Sequence, residues 1–204
     1  MKKRTRRAVR SVLGVVFVVT GMIAVLSMLV QQSSPQKEQN QTPAVSTEVQ
    51  NYQPILKKFA KQYGVEAHTD VLLSIMMQES GGRGDDPMQA SESRCGKPGC
   101  IRNPEQSIQT GVLHFANMLQ ASEGDLKLAV QSYNFGSGFI AYAKQEAGGY
   151  TEAVALKFSQ MMYAKTKDKV KYRCLRPEAK AENACYGDIY YVPAVMRYVP
   201  AFAE

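Results

Sequence analysis

A glutamate at the end of an apolar helical segment is the first candidate for chemistry in this sequence. The segment Val71–Gln89 reads VLLSIMMQESGGRGDDPMQ, and Glu79 continues the helical spacing of Leu72, Ile75 and Met76. A carboxyl group on this buried stripe is costly to ionise, and the negative end of the helix dipole adds to that cost. We therefore expect Glu79 to have a raised pKa and to donate a proton near neutral pH, as cleavage of a glycosidic bond requires. A shift of two residues in helix phase would instead leave Glu79 solvated.

Two aspartates follow Glu79 and are candidates for a second catalytic carboxylate. Asp85 and Asp86 stand six and seven residues further on, in a loop that contains several glycines. A carboxylate in such a loop could direct a water molecule to a reacting carbon. Aspartates beside glycines are also common turn formers, so both interpretations stay open.

Two later stretches combine aromatic and polar side chains. The first, YNFGSG, places Tyr133 and Asn134 at a helix end before two glycines, where a ligand can approach the backbone closely. Termination of the helix explains the same residues equally well. The second, YYVPAVMRYV, spans 190–199, and its tyrosines suit the edge of a core, where the hydroxyl groups reach water.

The elements that position these residues are helical, and no alternating run is long enough to require a sheet, although a short hairpin could lie in the loop 83–102. The spacing predicts helices through 52–63, 69–79 and the segments that begin at Asn103-Pro104 and Thr151. The fold class is therefore mainly α, in one domain over 51–204.

The first fifty residues predict a membrane anchor and a tether. Residues 1–11 carry six basic side chains and no acid, and residues 12–30 carry no charge. We interpret 1–11 as a cytoplasmic flank, 12–30 as a transmembrane signal-anchor, and the Gln/Ser/Thr/Pro-rich 31–50 as a flexible linker. This places the domain outside the cytoplasm, at the wall-facing side of the cell membrane; a cleaved signal peptide is the alternative.

The positive charge of the chain is concentrated in that flank. The net charge is +7, and setting aside the six basic residues of 1–11 leaves +1 for the remainder. A nucleic-acid partner is therefore not expected.

Four cysteines are consistent with an oxidising compartment. Pairing between nearest neighbours is the simplest of three connectivities, giving Cys95 with Cys100 and Cys174 with Cys185. A zinc site is disfavoured because neither pair has two-residue spacing and both histidines lie elsewhere in the sequence. We expect no metal, and no motif for a nucleotide or organic cofactor is present.

Taken together and in this order, four elements resemble the lysozyme-like superfamily, which includes lytic transglycosylases and goose-type lysozymes. The elements are Glu79-Ser80, Met88-Gln89, Tyr133-Asn134-Phe135-Gly136 and the segment from Tyr191-Val192 to Tyr198. QESGG followed by GDDPMQASES is similar to the phage-type lysozyme-like domains of Gram-positive wall hydrolases, including the muramidase half of conjugation-associated enzymes. The resemblance covers about residues 50–200.

The resemblance implies a function and a set of site residues. Glu79 would be the acid/base acting on the β-1,4 bond from N-acetylmuramic acid to N-acetylglucosamine in peptidoglycan glycan strands. Groove-lining or positioning residues would be Ser80, Gln89, Tyr133, Asn134 and Tyr191.

The chemical outcome of such a cleavage is open. Glu79 acting alone gives a 1,6-anhydro product, whereas hydrolysis usually needs a second carboxylate, with Asp85 or Asp86 as candidates. Asp86-Pro87 replaces the Gly-Leu common before Met-Gln in transglycosylases, and Phe135 replaces a common Ala. We favour hydrolysis slightly. The alternatives are a non-catalytic wall-binding module or a scaffold of a cell-wall, conjugation or secretion complex.

Overall fold

The computed structural model describes residues 43–167, 169 and 172–203, and all regular structure in this part of the chain is helical. Its α-helices are α1 Thr47–Gln62, α2 Thr69–Glu79, α3 Ser91–Cys95, α4 Pro104–Ala121, α5 Leu126–Phe135, α6 Gly138–Ala147, α7 Glu152–Lys165, α8 Pro177–Ala181 and α9 Tyr191–Met196. Short 3-10 helices cover Glu66–His68 and Val199–Ala201. The prediction of a mainly α domain is confirmed.

The first helix begins earlier than the predicted domain boundary at residue 51. Helix α1 starts at Thr47, inside the segment predicted as a linker, because Ser46 caps it by accepting a hydrogen bond from the Val49 amide at 3.2 Å. The same Ser46 hydroxyl donates to the Gly81 carbonyl at 2.7 Å, and Val49 is fully buried. The start of the domain is thereby tied to the loop that follows Glu79.

The predicted membrane segment 12–30, the basic flank 1–11 and most of the predicted linker lie outside the described residues. Within residues 43–167, 169 and 172–203, no helix combines the length and apolar character needed to cross a membrane.

Capping residues define two helices as the sequence predicts. Asn103 accepts a hydrogen bond from the Gln106 amide at 3.1 Å, and the helix begins at the following proline. Thr151 accepts from the Val154 amide at 3.1 Å and opens α7.

The loop 83–102 forms no hairpin. It contains the short helix α3 and is closed by a disulfide between Cys95 and Cys100. A second disulfide joins Cys174 and Cys185 on either side of α8. Nearest-neighbour pairing of all four cysteines is confirmed, and none is free.

Helix α2 carries Glu79 and runs through the core. All six residues from Val71 to Met76 are buried, and the helix packs against both α1 and α9. Helix α5, which carries Tyr133 and Asn134, packs against α4, α6 and α9. Helix α9 therefore packs against both the helix that carries Glu79 and the helix that carries Tyr133 and Asn134.

A glycine allows helix α4 to approach the loop that follows Glu79. A Cβ atom added to Gly111 would lie 2.7 Å from both Cβ and Sδ of Met88 and 2.8 Å from the Tyr133 hydroxyl. Met88 is fully buried and Tyr133 nearly so, so neither has room to move aside.

We expect Gly111→Ala to lower the free energy of unfolding by about 1–3 kcal/mol, because overpacking outweighs the helix propensity gained. Thermal denaturation followed by circular dichroism would measure the loss. Gly138→Ala is the matched control: Gly138 is also helical, and no heavy atom lies within 4 Å of its added Cβ. Equal midpoints for the two variants would contradict the role given to Gly111.

Candidate active site

Glu79 is the last residue of α2, and its carboxylate accepts a hydrogen bond from the Tyr191 hydroxyl at 2.5 Å. The side chain is partly accessible, in contrast to the fully buried residues one and two turns earlier, yet its carboxyl group is densely surrounded by protein atoms. Loss of hydration raises the pKa of Glu79 to about 7, and the negative charges of Asp86 and Asp188 act in the same direction. The hydrogen bond from Tyr191 opposes this shift. A raised pKa, as the sequence predicts, is therefore found at a partly accessible carboxyl group.

Tyr191 lies at the start of α9 and is buried. Burial raises the pKa of its own hydroxyl well above the usual value for tyrosine, and the charge of Glu79 contributes to that shift. Tyr191 therefore remains a protonated donor over the whole range in which Glu79 titrates.

We expect Tyr191→Phe to raise the pKa of Glu79 above its value of about 7, because the variant removes the donor that stabilises the carboxylate. NMR titration of ¹³C-labelled glutamate carboxyl groups, with Glu79→Gln to assign the signal, would measure the change. Tyr190→Phe is the matched control on the neighbouring residue. An unchanged or lower pKa in Tyr191→Phe would contradict the assignment.

Asp86 organises the loop after Glu79. Oδ1 accepts from the Ala90 amide at 2.9 Å and the Ser107 hydroxyl at 2.6 Å, and Oδ2 accepts from the Ser91 amide at 3.0 Å and the Ser91 hydroxyl at 2.6 Å. Four donors engage both oxygens, so the geometry favours a positioning role for this carboxylate. Asp85, the other candidate for a second carboxylate, is exposed.

Ser80 and Gln89 belong to the same loop. The Ser80 hydroxyl donates to the Pro87 carbonyl at 2.7 Å and accepts from the Arg83 amide at 3.1 Å. Gln89 is exposed, its side chain donates to the Asp86 carbonyl at 2.9 Å, and its backbone has a positive φ of 48°. Ser80 thus closes the loop from within, while Gln89 lies on its outer surface.

Tyr133 braces this loop from helix α5. Its hydroxyl donates to the Met88 carbonyl at 2.9 Å, and the side chain is only 8% exposed. Tyr133 therefore supports the loop and does not form an open aromatic platform. The His114 ring makes a T-shaped contact with the Tyr133 ring, with ring centroids 4.9 Å apart, and burial lowers the pKa of that histidine.

Asn134 holds a segment that leads to Tyr191. Its Oδ1 accepts from the Asp188 amide at 2.8 Å, and Gln131 donates to the Asp188 carbonyl at 2.9 Å. Three residues later in the chain, Tyr191 contacts Glu79. Asn134 and Gln131 on α5 therefore fix the position of the segment that precedes α9.

Asp188 is a site residue that the sequence analysis missed. Its carboxylate is buried and receives two hydrogen bonds from Arg176, at 2.8 and 2.7 Å, and one from the Tyr190 amide at 2.9 Å. Its charge contributes to the raised pKa of Glu79. Gly187-Asp188 has the sequence of an ordinary turn, and its ionic partner stands twelve residues earlier, so no local pattern indicates the pair.

Comparison with known proteins agrees with this architecture. A family model described as lysozyme-like matches residues 46–199. The chain belongs to the lysozyme-like family. The resemblance inferred from the four sequence elements is thereby confirmed.

Several relatives of this lysozyme-like chain are known. It is 40% identical over 159 residues to the bifunctional muramidase/DL-endopeptidase CwlT of Bacillus subtilis, a match covering 78% of this chain and 44% of CwlT. It is 34% identical to the uncharacterized membrane protein YocA of the same organism, covering 71% of this chain and 65% of YocA. The chain thus spans less than two thirds of the length of either relative.

A solved structure has the same fold. It is described as similar to a lipoprotein of the NLP/P60 family, from Staphylococcus aureus, and superposes with a TM-score of 0.67 at 34% identity. The match covers 77% of this lysozyme-like chain and 54% of the other.

Proposed function

We propose that this protein cleaves peptidoglycan glycan strands at the bond from N-acetylmuramic acid to N-acetylglucosamine, with Glu79 as general acid and then general base. The observation that carries the proposal is the partly accessible Glu79 carboxyl group, with a pKa near 7, held by Tyr191. At neutral pH a substantial fraction of Glu79 is protonated and can donate to the leaving oxygen. The ionised form that results can accept the proton of the second step.

The remaining candidate residues support this carboxyl group in three ways. Asp86 and Ser80 hold the loop after Glu79, Tyr133 braces that loop from α5, and Asn134 positions the segment that leads to Tyr191. In this proposal these four are positioning residues, and exposed Gln89 is the one available to contact the glycan.

Hydrolysis is the favoured outcome because CwlT, at 40% identity, is named a muramidase. One observation favours the 1,6-anhydro product of a transglycosylase: both oxygens of Asp86 are engaged by hydrogen-bond donors of the protein, which leaves Glu79 without an obvious second carboxylate. Exposed Asp85 is then the remaining candidate to direct water.

Mass spectrometry of muropeptides tests both parts of the proposal. The chain over residues 1–204 and its Glu79→Gln variant would be incubated with purified Gram-positive peptidoglycan. Ends with reducing N-acetylmuramic acid would establish hydrolysis, and anhydro ends would establish a transglycosylase. Reducing N-acetylglucosamine ends would place the cut at the other bond and overturn the proposal. Binding without release would identify a non-catalytic wall-binding module or scaffold.

We further propose that residues 12–30 anchor the enzyme in the cell membrane with the lysozyme-like domain facing the wall. The charge-free run after a basic flank supports this topology, and the relative YocA is named a membrane protein. Membrane fractionation followed by protease treatment of intact protoplasts would test it. Retention of the domain in the soluble cell extract would contradict the topology. Association with conjugation or secretion machinery would be tested by pull-down from the same membranes.

A further inference from the structure

A pocket is lined in part by the segment that leads to Tyr191. Its volume is about 380 Å³, within the range of ligand sites in proteins. It is lined by Tyr172, Arg173, Leu175 and Tyr186, together with Asn134 and Gly187. The last two join it to the candidate active site, because Asn134 accepts from Asp188, the residue after Gly187.

One wall of this pocket is rigid. The Tyr186 amide donates to the Ser159 hydroxyl at 3.1 Å, and that hydroxyl donates back to the Tyr186 carbonyl at 2.8 Å. The Tyr186 hydroxyl also reaches the Phe135 carbonyl at 3.3 Å. The disulfide joins the residue before Tyr186 to Cys174, which stands between Arg173 and Leu175. The disulfide therefore connects the wall formed by Tyr186 covalently to the wall formed by Arg173 and Leu175.

The chemistry of the lining suits a peptide better than a sugar. Arg173 is exposed and offers a planar donor group that matches a carboxylate, while Leu175 is 66% exposed and offers apolar surface. The rings of Tyr172 and Tyr186 lie 5.2 Å apart and tilted by 37°, which forms an aromatic wall. Glu92 also lines the pocket, so the pocket carries charges of both signs.

We propose that this pocket binds the short acidic stem peptide attached to the N-acetylmuramic acid units of the glycan. The inference rests on the proposed function, since a glycan strand cleaved at Glu79 carries its peptide substituents past the adjacent wall of the site. Arg173 receives a peptide carboxylate, and Leu175 with the tyrosine pair contacts the small apolar side chains. The pocket selects for glycan that still bears peptides.

Binding and turnover must be measured separately, so that a wrong assignment of the pocket can be distinguished from a wrong assignment of glycan cleavage. The probes are intact peptidoglycan and the same material stripped of peptides by an N-acetylmuramoyl-L-alanine amidase. Co-sedimentation of the Glu79→Gln variant over residues 1–204 measures binding, and muropeptide release by the wild type measures turnover.

Adding Arg173→Gln to the Glu79→Gln chain should weaken binding to intact peptidoglycan about fivefold or more, with binding to stripped glycan unchanged. Arg173→Lys keeps the charge without the planar fork and should give a smaller loss. Arg102→Gln, an exposed arginine outside the pocket lining, is the matched control and should change neither. Thermal midpoints equal to that of the parent chain would show that the variants are folded.

Equal losses on both substrates, or no loss on either, would overturn the stem-peptide assignment while leaving glycan cleavage standing. Peptide-dependent binding without release of any muropeptide by the wild type would overturn the proposed cleavage and retain the pocket. Absence of binding to either substrate would overturn the stem-peptide assignment.

Discussion

Glu79→Gln should reduce release of muropeptides by about a thousandfold, within the range lost when a general acid/base is removed. Glutamine has almost the same shape and its carbonyl oxygen can still accept from Tyr191, so the substitution removes the transferable proton with little change in packing. The rate would be measured by quantitative chromatography of soluble muropeptides. Release by Glu79→Gln within tenfold of the wild type would contradict the assignment.

Stability provides an internal control for this variant, and its sign follows from the raised pKa. The carboxyl group has a pKa of about 7 in the folded protein and 4.5 as its ordinary value, so ionisation costs the wild type stability as pH rises from about 4.5 to about 7. Glutamine avoids that cost. Glu79→Gln should therefore be more stable than the wild type at pH 8, by at most about 3 kcal/mol, with the gain vanishing below about pH 4.5. Denaturant unfolding at pH 4 and pH 8 would measure it, and an inactive but more stable variant would exclude misfolding as the cause of the lost activity.

Among substitutions outside Glu79, we expect Asp86→Asn to cause the largest combined loss of stability and activity. The substitution replaces one carboxylate oxygen by an NH₂ group, which is a hydrogen-bond donor. In one orientation of the amide this group faces the donors of Ser91, and in the other it faces the donors of Ala90 and Ser107. Leaving these groups without their charged acceptor should cost about 2–4 kcal/mol and displace the loop after Glu79. We expect the melting temperature to fall and kcat/KM for peptidoglycan to drop about tenfold to a hundredfold.

Asp85→Asn is the matched control for this prediction, because Asp85 is the adjacent aspartate and is exposed. Asp85→Asn should leave stability close to the wild-type value, because the side chain is exposed. A loss of activity in Asp85→Asn at unchanged stability would identify Asp85 as the residue that directs water. Unchanged stability in Asp86→Asn would contradict the positioning role.

Local sequence determined most of the helical architecture. Asn103 and Thr151 cap their helices as predicted, since a capping side chain bonds to an amide only three residues away. Nearest-neighbour cysteine pairing also followed from short separations along the chain. The position of Glu79 at the end of an apolar helix could also be predicted from the sequence, because helix periodicity and helix ends are local features.

The sequence predicts that the domain starts at residue 51, whereas helix α1 begins at Thr47, because the contact that stabilises this start is distant in sequence. Residues 46–50 look polar and linker-like, but Ser46 bonds to the carbonyl of Gly81, thirty-five residues further along the chain. The composition of residues 46–50 does not indicate that Ser46 has a hydrogen-bond partner so far along the chain.

Tertiary structure alone decided what surrounds Glu79. The hydroxyl of Tyr191 comes from 112 residues away, and Asp86 is engaged by a serine of α4, twenty-one residues further along the chain. The buried Asp188 adds its charge from a loop that reads as a turn. The sequence by itself determined which carboxyl group would be costly to ionise, because burial on a helix face follows from local periodicity. Which donors and charges adjust its pKa depends on contacts between distant segments, and these exist only once α2, α4, α5 and α9 have packed together.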